Sequence, residues 1–96
     1  MIKIVQFYDE ARIETDVAES QSDDRPRFLF ELAEVLESIA SGLVIGPKVR
    51  SSPMRIWILP LLPYSFICDD HGADIRIVSF AHHKRKPGYW RKRSKS

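Results

Sequence analysis

The sequence predicts an α+β fold in which a helical hairpin packs on one face of a small, mainly antiparallel sheet. Three observations carry this. An apolar stripe of helical period runs from Phe28 to Ile39, with Pro26 before it and Gly42 after it. Three β-prone runs separated by turn residues follow, Met54–Leu59, Tyr64–Cys68 and Ile75–His82. A further such run, Lys3–Tyr8, precedes the helices. The order is therefore strand, helix, helix and a three-stranded meander, which is a two-layer arrangement.

Each element has a local reason. Lys3–Tyr8 is short and rich in β-branched and aromatic residues. Asp9 is placed to cap the helix that follows, in which Ile13 and Val17 share a face with Ala18 beside them. That helix is weakly amphipathic and depends on packing. Ser20–Asp24 is a polar break, and Pro26 fits the first turn of a second helix, where its missing N–H costs nothing. Phe28, Leu29, Leu32, Val35, Leu36 and Ile39 form its stripe, with Glu31, Glu34 and Glu37 off it. Gly42 is a C-terminal stop. Gly46-Pro47 marks a turn and Pro53 a boundary, and Leu61-Leu62-Pro63 interrupts the meander because proline cannot donate to a ladder. Asp69–Asp74 is a tight polar connection. In the last strand, strict alternation puts Ile75, Ile77, Ser79 and Ala81 on one face and Arg76, Val78, Phe80 and His82 on the other.

Ninety-six residues suit one domain over 1–96, able to bury roughly two-thirds of its unfolded surface. The net charge of +2 conceals a polarity: residues 1–83 hold eight Lys/Arg against thirteen Asp/Glu, whereas the tail 84–96 holds seven Lys/Arg and no acid. Such a segment calls for a polyanionic or acidic partner. One cysteine, Cys68, excludes an internal disulfide and fits a reducing compartment. No membrane span and no signal peptide are evident, so a cytoplasmic location is expected. Cys68, His71, His82 and His83 show no recognisable ligand spacing, so neither a metal nor a cofactor is expected.

The element order, Leu62-Pro63-Tyr64 opening the third strand, and the string Ala81-His82-His83-Lys84-Arg85-Lys86-Pro87-Gly88-Tyr89-Trp90-Arg91 together resemble the RelE/ParE superfamily of toxins from type II toxin–antitoxin modules. The string is most similar to the ParE-like, plasmid-stabilisation branch. The resemblance implies a β-α-α-β-β-β fold and a toxin that inhibits growth by binding a target such as DNA gyrase. It also implies a cognate antitoxin that neutralises it, with operator DNA reached only through that complex. The RelE branch implies instead an endonuclease acting on messenger RNA at the ribosome. A relative that no longer harms the cell and only binds an antitoxin is a third reading. Ser65 stands where nuclease-branch relatives carry an arginine.

For cleavage at a 2′-hydroxyl, the available pieces are Arg55, Arg76, His82, His83, Arg85 and Tyr89, with a histidine as proton carrier. Arg55 and Arg76 come from neighbouring parts of the meander, which would let them share a face with His82. For docking, the contact residues are Lys84, Arg85, Tyr89, Trp90, Arg91 and Arg93, since arginine and aromatics dominate binding hot spots. Plainer roles stand beside these. The histidines can cap the strand, Tyr89 and Trp90 can pin the tail to the fold, and the acids of the first helix can be solvated surface.

Overall fold

The computed structural model describes residues 2–50 and 52–93; the last three residues of the basic tail, 94–96, whose mobility the sequence suggests, lie outside the described residues. The chain forms β1 (Ile4–Phe7), α1 (Asp9–Ser20), α2 (Arg25–Ser41), β2 (Arg55–Ile58), β3 (Tyr64–Asp70), β4 (Asp74–His82) and a short 3-10 turn (Arg91–Arg93). The sheet order is β1-β4-β3-β2. β2, β3 and β4 are an antiparallel meander, and β1 lies parallel to β4 with Val5 opposite Ile75 and Phe7 opposite Ile77. Among the described residues no helix is long and apolar enough to cross a membrane.

The helical hairpin covers one sheet face. Phe28 and Ile39 of α2 and Ala11 and Ala18 of α1 meet Phe66, Cys68, Ile75, Ile77 and Phe80 there. α2 is built as expected in that Pro26 lies in the first turn and Gly42 ends the helix at φ 70°; Asp24, read from the sequence only as part of a polar break, caps it, its side chain accepting the Arg27 N–H at 3.2 Å. Glu31, expected off the stripe, is instead buried. Its Oε1 accepts the N–H groups of Leu61 and Leu62 at 2.8 and 3.2 Å, which fixes the loop entering β3.

α1 departs further from expectation. Asp9 is its first helical residue rather than its cap; Tyr8 holds the cap position, and the Tyr8 N–H donates to Ile77 O at 2.9 Å. Asp9 and Glu10 then favour the positive end of the helix dipole. The face turned to the sheet is Ala11, Thr15 and Ala18, while Ile13 and Val17 are 61% and 47% exposed. Small side chains let the helix approach β4 closely, and the Thr15 hydroxyl is satisfied by Ala11 O at 2.8 Å.

The alternation expected in β4 also breaks. Ile67 is opposite Ser79 and Cys68 opposite Ile77, so Val78 is an extra residue in a β-bulge. Ile75, Ile77 and Phe80 therefore share the helix-facing core, and Val78 turns to the second face. There it packs with Met54, Ile67 and Trp90, making a second small core beneath the C-terminal segment.

Candidate functional site

The C-terminal segment is folded against the sheet. After β4 the chain turns at His82: the N–H groups of Lys84 and Arg85 donate to His82 Nδ1 and His82 O, both at 3.0 Å. His82 thus caps the strand end, and its ring packs edge-on to Tyr64. Gly88, at φ 82°, reverses the chain so that Trp90 returns to the second core, where it is only 4% exposed. The 3-10 turn then closes with the Arg91 N–H on Gly88 O and the Arg93 N–H on Trp90 O.

One carboxylate fastens this segment. Glu14 projects from α1 beside the open edge of β4, where β1 has ended. Its Oε1 accepts the Phe80 N–H at 3.1 Å, the Ser79 hydroxyl at 3.1 Å and Arg93 Nη1 at 2.9 Å. Its Oε2 accepts Tyr89 Oη at 2.6 Å, Arg93 Nη2 at 3.1 Å and Arg85 Nη1 at 3.3 Å. Arg93 also donates to Val78 O at 3.2 Å, so acid and guanidinium together satisfy backbone groups that a neighbouring strand would otherwise take. Tyr89 gives its proton to Glu14 and leaves its oxygen 2.7 Å from Ser79 Oγ. Burial pushes the Glu14 pKa up, but the hydrogen bonds from Arg93, Tyr89 and Phe80 outweigh it and hold the carboxyl below its ordinary value of 4.5. Burial, then the Glu14 hydrogen bond, raises the Tyr89 phenol.

Between this segment and the second sheet face runs a groove of about 370 Å³. Its floor is Ile56, Ile58, Ile67 and Ala81, Trp90 forms a wall, and His83, Arg85, Lys86 and Arg91 stand at its rim. The buried Ser65 lines it, with Oγ hydrogen-bonded to His83 Nε2 at 2.9 Å. A second groove, beside α1, is lined by Ile13, Val17, Tyr64, Phe80, His82 and Arg85 among others.

The residues singled out from the sequence fall into three places. Arg85, Tyr89 and Arg93 converge on Glu14, with the Arg85 guanidinium stacked 3.7 Å from the Tyr89 ring centre. Lys84, Lys86 and Arg91 are exposed, as is Lys92, and Arg91 donates to Arg50 O at 3.2 Å. Arg55 and Arg76 lie at the other end of the sheet. Arg55 donates to Gly46 O at 2.8 Å, and Arg76 pairs with Asp74 at 3.5 Å. Arg76 and His82 are six residues apart along one strand, roughly 20 Å. Burial raises the Cys68 thiol well above its usual range, so it is no thiolate. Among the described residues, no group of three or more His, Cys, Asp or Glu is placed to hold a metal ion.

Sequence reasoning passed over Glu14 because an acid on a charged helix face reads as solvated. The available signal was its position inside the stripe of small residues Ala11, Thr15 and Ala18, where only a buried helix face makes sense of the pattern.

No protein-family model matches the chain. No curated protein matches it either. Among solved structures, a chain described as "Chromosomal ParDE TA system from P. aeruginosa" is similar, with a TM-score of 0.64 and 13% sequence identity over 84% of this chain and 96% of that one. At that identity the likeness is one of fold, and the fold this chain adopts is the RelE/ParE-like β-α-α-β-β-β arrangement that its sequence resembles.

Proposed function

We propose that this chain is the toxin component of a type II toxin–antitoxin module, ParE-like in acting by docking on a target such as DNA gyrase. The carrying observation is the presentation of the basic segment. Trp90 and the Glu14 cluster hold Tyr89 to Arg93 against the sheet, while Lys84, Lys86 and Lys92 project outward without an ion pair to any described residue. Cations fixed on a rigid base lose little entropy when they meet an acidic surface. The shared fold agrees with this reading, as does the placement of Arg55 and Arg76 far from His82 and His83, which leaves the nuclease alternative without the two sheet arginines beside its histidines.

A cognate antitoxin is part of the same reading. The exposed Ile13 and Val17 beside Tyr64 and Arg85 suit an amphipathic segment laid along α1. Operator DNA would be reached only through the complex.

The test is a supercoiling assay with purified gyrase and micromolar chain, beside a Lys84→Glu, Lys86→Glu, Lys92→Glu variant. Inhibition by the native chain and its loss in the variant is the expected result. No inhibition, together with discrete message cuts by primer extension in expressing cells, would establish the RelE-like nuclease instead. Tightly controlled expression without any growth defect would favour the non-toxic, antitoxin-binding relative.

A further inference from the structure

We infer that the groove between the second sheet face and the C-terminal segment is a docking slot for an extended peptide segment of alternating apolar and acidic side chains. This rests on the docking reading above in one respect only: it assigns that segment to the protein target.

Three features define the occupant. The floor, Ile56, Ile58, Ile67 and Ala81, is aliphatic, and Ile58 is 62% exposed although it sits in a strand. Removing such a surface from water is favourable only for an apolar partner. The rim carries His83, Arg85 and Lys86, and among the described residues no Asp or Glu lines the groove, so the flanks of the occupant should be acidic. The third feature is backbone. Residues 46–49 cover the outer edge of β2 at Arg55 and Ile56, with the Ile56 N–H on Pro47 O at 2.9 Å, and among the described residues no backbone hydrogen bond carries that cover on to Ile58. Ile58 lies two residues beyond Ile56 and so presents its N–H and C=O to the same outer side. An open strand edge flanking an apolar floor is the geometry of strand addition, in which main-chain bonds give affinity and alternate side chains enter pockets.

A nucleic-acid strand fits less well. Stacking of bases on an aromatic platform is disfavoured, because Trp90 is buried against Ile67 and Val78 and the Tyr89 ring is already covered by the Arg85 guanidinium. Of the hydroxyls that line the groove, that of Ser65 already bonds to His83 and that of Tyr89 to Glu14 and Ser79.

The test pans a phage-displayed library of random dodecapeptides on the full chain and measures synthetic versions of the enriched sequences by fluorescence anisotropy. The expected consensus alternates apolar and acidic residues. Ile58→Glu should weaken binding about tenfold or more by placing a carboxylate on the floor, and Lys86→Glu should weaken it several-fold. Arg27→Glu, a charge change on the exposed side of α2, should leave it within about twofold. Absence of enrichment, or peptides indifferent to Ile58→Glu, overturns the slot. A single-stranded RNA decamer whose binding is abolished by Ile58→Glu overturns it in favour of nucleic acid. An Ile58→Glu chain that has lost the peptide yet arrests growth as before overturns the assignment to the target and leaves the toxin reading intact. A native chain that never arrests growth sinks the toxin reading, while the peptide result still decides the slot.

Discussion

Glu14 and Arg93, 79 residues apart in sequence, face each other as a two-pronged ion pair with N···O distances of 2.9 and 3.1 Å. The carboxylate is 13% exposed and the guanidinium 16%. A pair this enclosed is sensitive to the loss of either partner, because the survivor is left buried and unbalanced. Glu14 also holds Tyr89, Ser79 and the Phe80 N–H, so it joins the first helix, the last strand and the basic segment.

Glu14→Ala should therefore cost about 3 kcal/mol or more, a large part of the 5–10 kcal/mol expected for a domain of this size. Arg93→Ala should cost less, since Tyr89, Ser79 and the Phe80 N–H still satisfy the acid. A double-mutant cycle by urea denaturation measures the coupling. Additive single effects would mean that the two side chains do not support each other.

Acid should release the same contact. The folded-state pKa of Glu14 is depressed below its ordinary 4.5, so its contribution is complete above that value and is lost as pH falls through the lower folded value. Asp70, depressed by the Gly72 N–H and by Lys3 against the opposing effect of burial, acts in the same direction. Thermal unfolding should therefore show a constant melting temperature down to about pH 5 and a steep fall below about pH 4.5. In Glu14→Gln the acid fall should be shallower, with the remainder due to Asp70. An identical acid limb in both proteins would show that Glu14 is not the titrating link.

Trp90 makes the basic segment a structural part of the domain. Its ring fills the second core with Met54, Ile67 and Val78, so Trp90→Ala should cost about 3–5 kcal/mol. Trp90→Phe should retain most of the stability. Truncation after His83 should then unfold or loosen the whole domain, which is why charge reversal at Lys84, Lys86 and Lys92 is the cleaner test of docking. Those three substitutions should each shift stability by less than about 0.5 kcal/mol. Guanidinium unfolding of the native chain, the two Trp90 variants, the truncated chain and the three lysine variants decides this, and an equal loss in the lysine variants would make the exposed charges structural too.

The parts of the fold legible in the sequence were those with local causes. α2 announces itself through Pro26, a stripe of period 3.6 and Gly42, and the meander through its turn residues. The bulge at Val78 has no such mark, because Ile75 to Phe80 reads as one alternating strand, yet it exchanges the faces of everything after it. α1 misleads for a related reason. Ile13 and Val17 are its most apolar residues, but the approach to β4 selects the small Ala11, Thr15 and Ala18. The pairing of β1 with β4 and the burial of Glu14 depend on partners some 65–79 residues away, and no local window contains them. The clustering of Arg85, Tyr89 and Arg93 could be read as a list of cations and a ring, though not as one joint around an acid.

Glu31 offers the sharpest separation of charge from geometry. Its Oε1 serves two backbone N–H groups in the loop before β3, while its Oε2 is buried with no hydrogen-bond partner. A buried anionic oxygen without a donor is costly, whereas the two N–H groups need only an acceptor. Glu31→Gln keeps an amide oxygen in place and removes the charge, so it should be neutral or stabilising by up to about 1 kcal/mol. Glu31→Ala removes the acceptor and leaves the Leu61 and Leu62 N–H groups unpaired, for a cost of about 2 kcal/mol or more. Hydrogen exchange reads the difference directly: the two amides should stay protected in Glu31→Gln and exchange faster in Glu31→Ala. Equal destabilisation by both substitutions would show that the ionised carboxylate itself, and not its position, anchors the loop.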